Sequence, residues 1–118
     1  MTVAGIGCRR ACPAADIVAI VRRAEGLTGR RATALAAPDF KRHETGLHAA
    51  AAALGLPIHF IPQAALERAQ ADCVTYSGVA LQTVGLASVA EGAALAATNG
   101  TLLLPRIVLG AATCAVAG

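Results

Sequence analysis

The chain has no tryptophan, one tyrosine and two phenylalanines, so aromatic side chains make up only 3% of its 118 residues. That scarcity removes the base-stacking platforms of single-strand nucleic-acid binders and the aromatic cages that hold quaternary ammonium groups. Charge is also scarce, at 14% against 56% hydrophobic residues, which excludes a disordered tail or a solvated linker. No segment is continuously apolar over the roughly 18 to 20 residues that a spanning helix needs. The mean hydropathy of +0.60 therefore reflects alanine rather than a membrane segment. The four cysteines, Cys8, Cys12, Cys73 and Cys114, contain no C-x-x-C pair and lack zinc-type spacing. The start, Met1-Thr2-Val3-Ala4, has neither the basic region nor the long apolar region of a secretory signal. Free thiols and a cytoplasmic protein follow as expectations, because a chain of this length folds without disulfide staples.

What is present predicts a single domain over residues 1–118, long enough to bury one real core. Ten Lys and Arg against seven Asp and Glu give a net charge of +3. The cations come as neighbours: Arg9 with Arg10, Arg22 with Arg23, Arg30 with Arg31, Lys41 with Arg42. Such pairs suit small acidic molecules better than nucleic acid, which calls for a broader basic stripe. On a helix, Arg22 and Arg23 read as solvated surface.

Along the chain, apolar Thr2–Gly7 reads as a buried first strand. Pro13 opens a helix whose stripe is Ile17, Ile20, Val21 and Ala24, with Gly26 as its end. Ala32–Ala37 reads as a second strand stopped by Pro38. Glu44–Leu54 is a helix closed by Gly55, Pro57–Ile61 a third strand, and Gln63–Gln70 a helix. Val74–Tyr76 reads as a further strand and Gly78–Gly85 as a loop. Ser88-Val89-Ala90-Glu91 is a capping-box sequence opening a helix that Asn99-Gly100 closes. Thr101–Leu104 and Ala111–Ala117 pair antiparallel, since Pro105–Gly110 is too short for a parallel crossover. The sum is a three-layer α/β/α sandwich around a mixed, mostly parallel sheet that ends in an antiparallel hairpin.

In open α/β sheets ligands bind beyond the carboxyl ends of the strands. Gly7, Cys8, Arg9 and Arg10 lie there. Glycine permits close backbone approach, and the guanidinium groups supply fixed positive charge for carboxylates or phosphates. Arg10 occupies the place of the third glycine of a dinucleotide fingerprint, and Cys8 beside Arg9 is a candidate low-pKa thiol. Asp39, Lys41, Arg42, His43 and Glu44 follow the second strand. Asp39 or Thr45 is positioned to cap the next helix, while Lys41 and Glu44 suit proton transfer or acid binding as well as a structural helix start. His48 and His59 read as ordinary surface or core histidines, and Ser88 with Glu91 first as a cap. No metal-ligand cluster stands out.

Gly5-x-Gly7-x-Arg9-Arg10, Lys41-x-x-Glu44-x-Gly46-Leu47, Leu54-Gly55-Leu56-Pro57, Gly85-x-x-Ser88-Val89-Ala90-Glu91-x-Ala93-Ala94-Leu95 and the closing Ala111–Ala117 occur in that order. Together they resemble the family formed by the C-terminal domain of CbiG and its stand-alone relative CobE, of cobalamin biosynthesis. The resemblance spans essentially the whole chain. Two positions depart from it: Ala11 stands where the family usually has glycine, and only Arg106 remains of a basic run near Leu104–Ile107.

The resemblance implies a small α/β protein of corrin-ring assembly whose ligand is a precorrin. Other enzymes of the pathway become candidate partners; neither nucleic acid nor a membrane is expected to be one. Multidomain CbiG proteins open a precorrin lactone as cobalt-precorrin-5A hydrolases; a chain of this size resembles the CobE form of the aerobic route. The leading expectation is accessory or carrier binding of a precorrin through Gly7, Cys8, Arg9, Arg10, Lys41, Glu44, Ser88 and Glu91. The alternative is a lactone hydrolase with Glu44 as the candidate catalytic base. A generic nucleotide- or phosphate-binding domain is the third reading. No cofactor of its own is expected, and any cobalt arrives with the ligand.

Overall fold

In a computed structural model, which describes residues 1–74 and 88–118, the apolar run Val3–Cys8 forms the central strand, β1. Then come helix α1 (Ala14–Thr28), strand β2 (Ala34–Pro38), a 3-10 turn (Asp39–Lys41) and helix α2 (Thr45–Leu54). Strand β3 (Ile58–Ile61), helix α3 (Gln63–Ala69) and a second 3-10 turn (Gln70–Asp72) follow. Helix α4 (Val89–Thr98) leads into the hairpin of β4 (Leu102–Leu109) and β5 (Ala112–Ala117).

The sheet order is β3-β2-β1-β5-β4. β1, β2 and β3 pair in parallel, and β5 runs antiparallel to both β1 and β4. The expected mixed sheet with a closing hairpin is therefore present. Strand alternation divides the core between two faces. Ala4, Ile6, Leu35 and Ala37 pack with Ile17, Ile20 and Val21 of α1 and Leu47 and Ala50 of α2. On the other face Val3, Ala34 and Ala36 meet Leu66 of α3 and Ala93 of α4. Helices thus cover both faces of the sheet, giving three layers.

The α4 layer lies unusually close. A Cβ placed on Gly5 would overlap the Ala90 carbonyl and sit 2.8 Å from the Ala94 methyl. Gly5 thus lets alanine-rich α4 rest directly on the strand backbone, so on this face small residues serve packing.

Element ends differ from expectation at a glycine and at a proline. Helix α1 continues through Gly26 and stops at Gly29, whose φ of 68° supplies the left-handed C-cap. A glycine inside a helix costs about 1 kcal/mol, which the apolar stripe outweighs. Strand β4 runs through Pro105 to Leu109, with register irregularities between Leu102 and Ile107. Edge strands and bulges tolerate proline because no ladder donor is lost there, and the connection shrinks to Gly110-Ala111. The strand expected at Val74–Tyr76 and the loop at Gly78–Gly85 fall, save Val74, outside the described residues. Among the described residues, no helix is long and apolar enough to cross a membrane.

Candidate functional site

The chain leaves β1 at Cys8 and reverses at once. The Cys12 N–H donates to the Arg9 carbonyl at 3.1 Å, closing a turn whose third residue, Ala11, has φ 59°. Glycine normally occupies such a position, because a Cβ crowds the following carbonyl there at a cost of about 1–2 kcal/mol. Arg9 and Arg10 are exposed on this turn. Among the described residues the ion pairs are Arg22–Glu25 and Arg42–Asp39, so the guanidinium groups of Arg9 and Arg10 are uncommitted.

The neighbouring parallel strand, β2, delivers the second group. After the 3-10 turn, the Glu44 N–H donates to the Lys41 carbonyl at 3.0 Å. Glu44 stands at the N-cap of α2 without making a side-chain cap bond. Its carboxylate Oε2 instead accepts the Ala11 N–H at 2.9 Å, tying the two loops together. Gly46 completes the junction, because a Cβ there would overlap the Cys12 carbonyl. Asp39 pairs with Arg42 rather than capping α2, and Thr45 is the first helical residue.

A third segment closes the group. The Arg9 N–H donates to the Ala111 carbonyl at 3.0 Å, and the Ala111 N–H donates to Asp16 Oδ2 at 3.1 Å. Asp16, in the first turn of α1, thus fastens the β4–β5 turn beside the arginines. The sequence reading missed it; an acidic residue in a first helical turn reads as a dipole partner, with nothing local to indicate a contact to Ala111.

Electrostatics reverses one expectation. Burial pushes the Cys8 thiol up to about 11; Lys41 pulls it down, but by less, and Cys12 and Glu44 push it further up. Cys8 is therefore a protonated thiol at neutral pH, not an activated one. Cys12 shifts upward as well, through burial and then Asp16 and Glu44. All four cysteines are free thiols.

The other predicted residues lie elsewhere. Gly7 is buried within β1, where the Thr113 hydroxyl fills the space of a side chain and donates to the Gly7 carbonyl at 3.2 Å. Ser88 and Glu91 are both 0% exposed. Ser88 Oγ accepts the Glu91 N–H at 3.4 Å, which is half of the expected capping box. The other half is taken over by Gln70, whose Oε1 accepts the Ser88 N–H at 2.9 Å. The Glu91 carboxylate accepts N–H groups from Val74 (2.8 Å) and Arg106 (2.9 Å). Ala90 N lies 3.8 Å from where a Gly7 Cβ would stand, so this helix start sits at the same end of the sheet but on its other face. The structure thus gathers Cys8, Arg9, Arg10, Lys41 and Glu44 at one rim and holds Gly7, Ser88 and Glu91 inside. Among the described residues, no cluster of three or more His, Cys, Asp or Glu could hold a metal ion.

Layered helices on a mixed sheet, with uncommitted cations on the loops beyond its parallel strands, place the chain among α/β proteins of open-sheet type. More specifically, it belongs to the family described as Cobalamin synthesis G C-terminus, whose model matches residues 2–117. Protein CobE of a Sinorhizobium species is 33% identical over 121 aligned residues, covering 98% of this chain and 79% of that protein. The crystal structure of CobE, a protein from the cobalamin (vitamin B12) biosynthetic pathway, matches with a TM-score of 0.91 and 39% identity. That match covers 99% of this chain and 89% of the other. The crystal structure of cobalamin biosynthesis protein chiG from Agrobacterium tumefaciens matches at 0.80 and 41%, covering 99% and 97%. The chain is accordingly a cobalamin-biosynthesis protein.

Proposed function

We propose that this protein acts in the cytoplasm as an accessory or carrier for a precorrin intermediate of the aerobic route, handing it to other enzymes of the pathway. The observation that carries the reading is the pair Arg9 and Arg10, exposed and, among the described residues, without an ion pair, on a turn that Glu44 and Ala111 hold in place. Precorrins carry many carboxylates, and a guanidinium fork grips a carboxylate through two parallel N–H donors. Lys41 adds a third cation at the same rim. At an exposed rim each guanidinium contributes about 1 kcal/mol rather than the larger values of buried pairs.

The test is a fluorescence titration with uroporphyrin, a tetrapyrrole bearing a carboxylate on every side chain. Replacing Arg9 and Arg10 together with Ala should weaken binding roughly 30-fold, since 1.4 kcal/mol corresponds to tenfold. An unchanged Kd in that variant overturns the reading.

A second reading rests on Glu44. One of its oxygens is fixed by the Ala11 amide, while the other has no hydrogen-bond partner among the described residues. A carboxylate so oriented suits a general base that directs water at a lactone carbonyl. Incubation with a precorrin lactone decides between the two. Ring opening that is lost in Glu44→Gln supports the hydrolase, and tight binding without turnover supports the carrier. The nucleotide reading loses its footing, because Gly5 and Gly7 lie inside β1 under α4 and Thr113 rather than in an open phosphate-binding turn.

A further inference from the structure

The loop carrying Lys41 and Glu44 is tied on one side to the turn after β1, through Ala11, and is braced on the other by residues that take no part in the rim. Within residues 39–44 the backbone forms two overlapping single turns, Arg42 N–H to Asp39 O at 3.1 Å and Glu44 N–H to Lys41 O at 3.0 Å. Such short turns are weak by themselves. What fixes them is Arg42, which follows Lys41 and lies between it and Glu44. Its guanidinium pairs with Asp39 and lies 5.6 Å from the centroid of the Phe60 ring on β3, within cation–π range. Its carbonyl oxygen lies 2.7 Å from His48 Nε2, which reaches back from the first turns of α2. A carbonyl only accepts, so that contact sets His48 as the Nε2–H form. The His48 ring in turn packs on Phe60, with centroids 5.6 Å apart.

We infer that His48 and Phe60 are positioning residues for the rim: they hold Arg42 from the β3 edge and thereby set where Lys41 and Glu44 stand. The inference rests on the reading of the rim as the ligand site. His48 is exposed, so core packing does not explain its contacts. Phe60, one of two phenylalanines in the chain, serves both partners at once. Neither side chain is expected to touch the tetrapyrrole. They act through the backbone and guanidinium of Arg42.

The experiment is the uroporphyrin titration on the full chain, with urea unfolding as the control. His48→Leu and Phe60→Leu should each raise Kd about fivefold, the scale of coupling between residues that share a contact network. Unfolding midpoints should stay close to the parent. His48→Gln, which returns an N–H donor near the Nε2 position, should recover most of the affinity. In a Lys41→Ala/Glu44→Ala background, His48→Leu should have no further effect. A His48→Leu loss that persists in that background overturns the inference, as does a Gln variant no better than Leu. If His48→Leu leaves Kd unchanged while Arg9→Ala/Arg10→Ala weakens it, the brace alone is wrong. If the arginine variant also binds normally, the site reading fails with it.

Discussion

Glu44 and Glu91 each stand at the start of a helix, and each accepts a backbone N–H from a distant segment. They are otherwise opposites. Glu91 is completely buried, with both oxygens engaged by the amides of Val74 and Arg106. Glu44 is half-buried, with one oxygen on Ala11 and uncommitted cations nearby. The same residue type in a similar local motif therefore fastens the interior on one face of the sheet and lines an open rim on the other. Burial and the number of engaged oxygens separate the roles; the motif does not.

That contrast can be broken most directly at the buried end. Glu91→Leu should destabilise the fold by about 3 kcal/mol or more, because it strands two backbone donors, each costing about 1–3 kcal/mol when left unsatisfied. Urea unfolding measures it, and a loss below 1 kcal/mol would dissolve the distinction. Next is Gly5→Ala, which drives a methyl against the Ala90 carbonyl. Overpacking of this kind costs about 1–3 kcal/mol, expected here at the upper end because the obstacle is backbone. Glu44→Ala should cost only about 1 kcal/mol, one hydrogen bond, while changing ligand affinity; that asymmetry sharpens the comparison.

Ala11→Gly should stabilise by about 0.5–1 kcal/mol, the relief of a left-handed alanine less the entropy glycine brings to the unfolded chain. The last effect is alkaline and absent at neutral pH. The Cys8 thiol sits at about 11 when folded against 9.0 as its ordinary value, so the unfolded chain loses its proton first. Stability should be full below pH 9 and fall between pH 9 and 11. Cys73, also raised to about 11, and Cys114, raised to about 12, act in the same direction. Replacing Cys8 with Ser should shallow the fall, as read by unfolding midpoints across that range.

Much of the fold was legible because apolar spacing is a local signal. The stripe Ile17, Ile20, Val21 and Ala24 is the buried face of α1, and Gly55, with φ 69°, closes α2 as expected. For the candidate site, the sequence shows chain position and little more. Arg9, Arg10, Lys41 and Glu44 follow parallel strands, and parallel neighbours bring their exits together. Gly7 lies against Thr113, and a glycine required by a tertiary contact looks, in one dimension, like a glycine kept clear for a ligand. The burial of Ser88 and Glu91 was not legible, because a capping motif does not reveal which segment covers it. The contacts of Asp16 and His48 were not legible because their partners, Ala111 and the Arg42 carbonyl, are backbone groups whose nearness only the fold creates.

The reversed direction of β5 has one practical consequence. Gly118 and Thr101 exchange backbone hydrogen bonds, and Ala117 pairs with Val3, so Gly118 lies beside Met1 at the end of β1 remote from Arg9. A fluorophore attached at residue 1 or 118 would hang from the far side of the molecule, leaving the arginine turn unobstructed for surface-immobilised or labelled binding assays.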